Sequence, residues 1–176
     1  KNSKIKHSGP IQIKGDISSQ YLTALLIAGP ISNNEFTIEV IGDLISKPYI
    51  DITLKLLTKF NVFYSNNNWR SFSLKKKSVY KNPNEIFVEG DASSASYFFA
   101  AAALAGSIEI KGINQDSIQG DLKFLNIISK MGAKIEFKSN SIQVSKAKTL
   151  KGLEIDCIEI PDAAMTLAIM AVFADK

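Results

Sequence analysis

The stretch "GDISSQYLTALLIAG", residues 15–29, returns as "GDASSASYFFAAAALAG", residues 90–106. Each copy is a Gly-Asp turn, a pair of serines and then an apolar run of helical length. A third copy, "PDAAMTLAIMAVFA" at residues 161–174, keeps the small-residue turn, the aspartate and the apolar run, but places Ala163 and Ala164 where the serines stood. Self-similarity over such a spacing marks a repeated supersecondary unit, so these turns decide the fold. Asp16, Asp91 and Asp162 are expected at one structural position.

Working outward from the turns, the elements between them repeat as well. A β-rich run follows each apolar helix, at 36–41 and at 107–110. A second helix comes next: one starts near Pro48 and carries Ile50, Leu54 and Leu57 at helical spacing with Lys55 and Lys59 opposite, and the other spans 121–131 and ends at Gly132, a candidate left-handed cap. Each copy closes with two short strands around a polar turn, 62–64 with 70–74 and 133–137 with 141–144. The stretch at 88–89 reads as the strand that opens the second copy. The unit is therefore β-α-β-α-β-β, an α/β (α+β) class. Its first helix is apolar nearly all round and should be enclosed, whereas its second is amphipathic and can cover one face. The chain opens at Lys1 without an initiator Met and stops just past the third apolar run, so it is expected to be an internal part of a longer protein.

Composition narrows the function classes. At 45% hydrophobic and 22% charged residues the chain is an ordinary globular sequence. The longest apolar run, 97–104, falls short of the roughly 18 residues that suggest a membrane span, and no leader pattern opens the chain. One cysteine, Cys157, and one histidine, His7, leave neither a disulfide framework nor a His/Cys metal cluster to propose. Cys157 is expected as a small core residue and His7 in a solvated loop. Arg70 is the only arginine, and the one tight basic cluster is Lys75-Lys76-Lys77, which argues against nucleic acid, where arginine forks and clustered basic faces do the reading.

Two chemistries are open at the repeated turns. A helix N-terminus offers unpaired N–H groups and the positive end of the dipole, and serines add hydroxyl donors for an anion. Ser18-Ser19 and Ser93-Ser94 suit that role, yet Ser and Asp are equally the preferred structural caps. Neither Ser18 nor Ser93 has Glu or Gln three residues on, so the reciprocal capping box is absent. Ser46-Lys47-Pro48-Tyr49 is another helix start that could hold a polyhydroxylated anion or cap a helix. Asp162 has lost its hydroxyl companions; its carboxylate could bind substrate hydroxyls or accept a proton. No glycine-rich nucleotide loop, Ser-His-Asp set or Cys-His set is present.

Taken in order, "GDISSQYLTALL", "GDLISKPYIDITLKLL", "VEGDASSASYFFAAAALAG", "SIQGDLKFLNIISKMGAKIEF" and "IPDAAMTLAIMAVFA" resemble successive segments of the enolpyruvylshikimate phosphate synthase family. The resemblance covers almost the whole chain, and Ser-Lys-Pro-Tyr-Ile-Asp and Ile-Pro-Asp-Ala-Ala-Met are its most specific parts. It implies a two-domain inside-out α/β barrel fold of such units. Residues 1–88 would be the last unit of one domain, and 89–176 the first unit and the start of the second unit of the other.

The resemblance also implies the reaction: transfer of the enolpyruvyl group of phosphoenolpyruvate to shikimate 3-phosphate in aromatic amino acid biosynthesis, by a transferase that needs no metal or organic cofactor. Ser18, Ser19, Ser46 and Tyr49 match positions that hold shikimate 3-phosphate, and Gln20 one that contacts both substrates. Asp162 matches the carboxylate that binds the ring hydroxyls and is a candidate proton acceptor. Asp91, Ser93 and Ser94 are expected as caps. One cysteine, no targeting pattern and a lysine-heavy, arginine-poor composition make cytoplasmic the expected compartment; the whole protein is expected to be monomeric, with the remainder of its chain as partner and neither nucleic acid nor membrane. Its phosphoenolpyruvate-binding cations would lie outside these residues, so the chain alone should be inactive. A UDP-sugar enolpyruvyl transferase and a non-enzymatic repeat module are the alternatives.

Overall fold

A computed structural model describes residues 9–32, 35–75 and 78–175. The expectations for His7, Lys76 and Lys77 lie outside them. Its contacts divide into two units, Lys1–Ile86 and Phe87–Lys176, each with its own buried cluster.

In the first unit the order is β1 (Ile11–Lys14), α1 (Ser19–Ala28), a 3-10 turn at Gly29–Ser32, β2 (Phe36–Ile41), α2 (Lys47–Lys59), β3 (Tyr64–Asn67) and β4 (Ser71–Leu74). The strands lie in the order β1-β2-β4-β3, with β1 parallel to β2 and the other pairs antiparallel. The period-2 pattern selects the faces. Phe36, Ile38 and Val40 of β2 and Phe72 and Leu74 of β4 are buried, while Thr37 meets Ser73 at 3.2 Å and Gln12 donates to Glu39 at 3.2 Å on the polar side. Both helices cover the apolar face. Ile50, Leu54 and Leu57 of α2 pack with Leu22 and Leu26 of α1, and the hydroxyls of Thr23 and Thr53 join the two helices at 3.1 Å.

The second unit runs α3 (Ala92–Ala105), β5 (Ser107–Lys111), a 3-10 turn at Gly120–Leu122, α4 (Lys123–Lys130), β6 (Lys134–Lys138), β7 (Ser141–Ser145), a 3-10 turn at Pro161–Ala163 and α5 (Ala164–Ala171). Its sheet is antiparallel, in the order β5-β7-β6. Phe99, Ile113, Phe124, Leu125, Ile128, Ile142 and Val144 fill the core, and Leu167 and Met170 of α5 close it. On the solvent face Lys138 donates to Glu109 at 2.7 Å and to Gln143 at 2.9 Å.

The repeated architecture is as the sequence predicts, with local differences. The opening strand of the second unit is absent: 85–90 runs without ladder pairing, and only the Gly90 amide reaches back, to the carbonyl of Gly112 at 2.7 Å. Strand β3 begins at Tyr64 and includes Asn66 and Asn67, because the reversal falls on Asn68 and Trp69, both at positive φ as a tight primed hairpin demands. Arg70 consequently sits in the turn. The helix expected over 121–131 is α4 preceded by a 3-10 turn.

The apolar helices are covered on one side only. Leu22 and Leu26 are buried in α1 while Tyr21 and Ile27 are about half exposed, and Met165 of α5 is 81% exposed although Leu167 and Met170 of the same helix are buried. Cys157 is half-buried at the margin of the second core rather than inside it.

Gly132 ends α4 at φ +114°, and a Cβ there would lie 2.8 Å from the Thr149 carbonyl oxygen. Gly132→Ala should therefore cost about 1–2 kcal/mol in chemical denaturation. Gly106→Ala, whose Cβ would meet nothing within 4 Å, is the matched control and should leave the midpoint nearly unchanged.

Candidate functional site

Gly15 follows β1 and is buried. Its N–H donates to the Ile41 carbonyl at the end of β2 (3.0 Å), and its own carbonyl accepts from the Ile45 amide (3.1 Å). A Cβ on it would stand 2.7 Å from both the Asp43 carbonyl oxygen and Val40 Cγ1, so only glycine allows the two chains to approach this closely. The turn that leads into α1 is thus clamped to the one that leads into α2. Because β1 and β2 are parallel, both turns lie at carboxyl ends of strands, where open α/β sheets place their ligands.

Each helix start leaves polar groups unspent. Ser18 is the N-cap of α1 in extended geometry, and its hydroxyl oxygen accepts from the Gln20 amide at 3.2 Å. Among the described residues no protein group accepts from the amides of Ser19 and Tyr21, and the Gln20 side chain is exposed. Ser46 stands before α2 at φ 55°, ψ 37°, and its hydroxyl makes no capping bond; its carbonyl takes the Tyr49 amide at 3.1 Å. A left-handed serine costs on the order of 1 kcal/mol, and such strain concentrates at functional positions. The phenol-bearing Tyr49 is half-buried one turn along, and its carbonyl accepts from Thr53 at 3.3 Å.

At α3 the same motif is closed. Asp91 caps the helix by accepting from the amides of Ser93 (3.1 Å) and Ser94 (3.2 Å) and from the Ser94 hydroxyl, while Gln119 Oε1 takes the Ala92 amide at 2.8 Å. The bond from the Ser94 hydroxyl, with the two amide bonds behind it, holds the Asp91 carboxyl below the usual carboxylate range. Every amide of the first turn is answered, so no donor remains there for an anion.

The aspartates do not share one position, contrary to the sequence expectation. Helix α1 starts four residues beyond Gly15, whereas α3 starts two beyond Gly90, so Asp91 caps its helix and Asp16 is left in the preceding turn. Asp162 lies inside a 3-10 turn that supplies no side-chain cap, and its exposed carboxylate has no hydrogen-bond partner among the described residues.

The structure thus brings Ser18, Ser19 and Gln20 to one helix start and Ser46 and Tyr49 to its clamped neighbour, while Asp162 belongs to the second unit. Sequence reasoning missed two supporting residues, Gly15 and Gln119. Gly15 could have been suspected as the glycine common to both serine copies; nothing local marks Gln119. A second signal was in the sequence: residues 1–86 carry twelve Lys and Arg against six Asp and Glu, and residues 87–176 nine against eleven, so the positive surplus belongs to the unit with the open helix starts.

This arrangement is the enolpyruvyl transferase fold. Solved structures of EPSP synthase from Acinetobacter baumannii and of the enolpyruvyl transferase NikO from Streptomyces tendae each match 94% of the chain with a TM-score of 0.66, at 23% and 12% identity. Likeness at those identities is one of fold. The family model for EPSP synthase (3-phosphoshikimate 1-carboxyvinyltransferase) matches residues 2–176, and the chain belongs to that family. Curated 3-phosphoshikimate 1-carboxyvinyltransferases from Haemophilus ducreyi and Ralstonia nicotianae are each 50% identical to it, over 95% and 98% of this chain. The chain spans 38% and 42% of their lengths.

The caps give a direct check. Asp91→Ala should cost about 1 kcal/mol at neutral pH, and Asp16→Ala less than about 0.5 kcal/mol. Because the folded-state Asp91 carboxyl titrates below its unfolded value, its contribution is present above the ordinary carboxylate pKa and lost as pH falls through the folded value. The gap between wild type and Asp91→Ala in urea melts should therefore narrow on acidification.

Proposed function

We propose that this chain carries the shikimate 3-phosphate side of an EPSP synthase active site. In the complete enzyme the enolpyruvyl group of phosphoenolpyruvate passes to a shikimate 3-phosphate hydroxyl, and phosphate leaves after a tetrahedral addition intermediate. The observation that carries the reading is the pair of clamped helix starts, in a chain of this family, at which the Ser46 hydroxyl makes no capping bond and the amides of Ser19 and Tyr21 meet no protein acceptor among the described residues. Donors from Ser18, Ser19, Ser46 and Tyr49, together with two helix dipoles, suit a phosphate monoester, and Gln20 is the residue that also reaches phosphoenolpyruvate. The unspent carboxylate of Asp162 suits the ring hydroxyls and the acceptance of a proton. We read 1–88 and 89–176 as parts of the family's two domains, and the complete enzyme as a cytoplasmic monomer without a cofactor.

Two phosphorylated carboxylates call for several cations, preferably bidentate arginines, and these residues hold one arginine, Arg70, in an exposed hairpin turn. By itself the chain should bind shikimate 3-phosphate weakly and show no turnover with phosphoenolpyruvate, as read by calorimetry and phosphate release. In a chain completed to the length of its relatives, Ser18→Ala with Ser19→Ala should raise KM for shikimate 3-phosphate, and Asp162→Ala should lower kcat by about 10²–10⁴-fold. Unchanged kinetics with only a lower Tm would make these residues structural caps.

A further inference from the structure

Arg70, the single arginine of the chain, stands at the same end of the first sheet as the two open helix starts. Strand β2 fixes this. On one side its Ile41 carbonyl accepts from the Gly15 amide at 3.0 Å, and on the other its Val40 amide donates to the Arg70 carbonyl at 2.8 Å. Val40 and Ile41 are consecutive, so Gly15 and Arg70 flank one strand, about 10 Å apart at a spacing of about 4.8 Å between neighbouring strands. The β3–β4 turn and the clamped turns before α1 and α2 therefore share one end of the unit.

The pleat sets the side of the sheet. Phe72 and Leu74 of β4 are buried beneath the helices, as is Val40 opposite Arg70. Arg70 precedes Phe72 by two residues and by that period leaves the chain on the helix side, beyond the end of the core. Its root is held firmly. The Arg70 amide donates to the Asn67 carbonyl at 2.9 Å, the Trp69 amide to Asn66 Oδ1 at 2.9 Å, and the Trp69 ring lies edge-on to Phe72 with centroids 6.2 Å apart. Arg70 is exposed, and its guanidinium makes no hydrogen bond or ion pair among the described residues.

The charges around it give this cation weight. Neither α1 nor α2 has an acidic residue in its first turn, and Lys47 is the first residue of α2, the reverse of what stabilises a helix by itself. Asp51 is taken by Lys55 at 2.7 Å, and Glu39 lies on the opposite face, where it accepts from Gln12 at 3.2 Å. The end thus carries Lys14, Lys47 and Arg70 against Asp16 and Asp43, all exposed, so Arg70 decides the sign of the local charge.

We propose that Arg70 is a capture residue for the phosphorylated substrate: its charge draws the phosphate monoester to the helix starts without touching the reacting atoms. The inference rests on the reading of Ser18, Ser19, Ser46 and Tyr49 as donors to that phosphate. A charge at the rim of a binding surface acts on encounter and on salt dependence and leaves the chemical step alone.

Steady-state kinetics of a chain completed to the length of its relatives tests it. At about 0.01 M salt, where the Debye length is about 30 Å, Arg70→Gln should raise KM for shikimate 3-phosphate by about three- to tenfold with kcat and Tm unchanged, and Arg70→Glu should raise it further. Arg70→Lys, which keeps the charge and loses the planar fork, should stay within about twofold of wild type. At about 1 M salt, where the Debye length is about 3 Å, the four proteins should converge. Equal KM for wild type and Arg70→Glu at low salt would overturn the inference, and so would a rise in KM that salt does not remove. The variant with Ser18→Ala and Ser19→Ala separates the two readings. If it raises KM and Arg70→Glu does not, capture by Arg70 fails while the phosphate site stands; if neither raises KM, both readings fall.

Discussion

The two hydrogen bonds of Gly15 are the constraint on which the first unit depends. They tie the end of β1 to the end of β2 and to the turn beyond it, in a space that excludes even a Cβ. The arrangement of this end of the unit follows from that closeness. The parallel pair brings two helix N-termini together, and the helices then pack side by side through Thr23 and Thr53 over the apolar face of the sheet. On the proposed reading, donors from the two helices serve one anion.

One repeated motif has three physical outcomes. Where the helix begins two residues after the glycine, the aspartate is placed to accept the first-turn amides and the helix start is closed. Where it begins four residues after, a serine takes over the cap with a single bond, the aspartate is left outside and the remaining amides stay open. Where the serines are replaced by alanines, a 3-10 turn precedes the helix and the aspartate carboxylate is left without a protein partner. Between the two serine-bearing copies, the difference between a closed and an open helix start is a shift of where the helix begins.

Much of this was legible in the residues. Strand β2 is found where its alternation predicts it, at 36–41, and helix α2 buries Ile50, Leu54 and Leu57 as their spacing requires. That Asp91, Ser93 and Ser94 close their own helix start was also expected, though through family likeness rather than spacing. What misled was length and context. The stretch at 88–89 has strand composition but no ladder partner, and Asn66-Asn67 have turn composition yet are carried into β3 by pairing with Phe72 and Ser71. Local propensity is a weak preference that a paired neighbour overrides.

By itself the sequence determined the unit, its repetition, the buried faces and the family, because each is written in periodicity and in motifs that need no distant partner. The tertiary structure alone decided which helix starts remain open. That depends on Gln119 reaching back to the amide of Ala92 from far along the chain, and on Gly15 donating to Ile41 and accepting from Ile45, contacts between residues whose separation in sequence carries no trace of their meeting. A backbone amide looks the same in any sequence; whether it is spent is a matter of what folds against it.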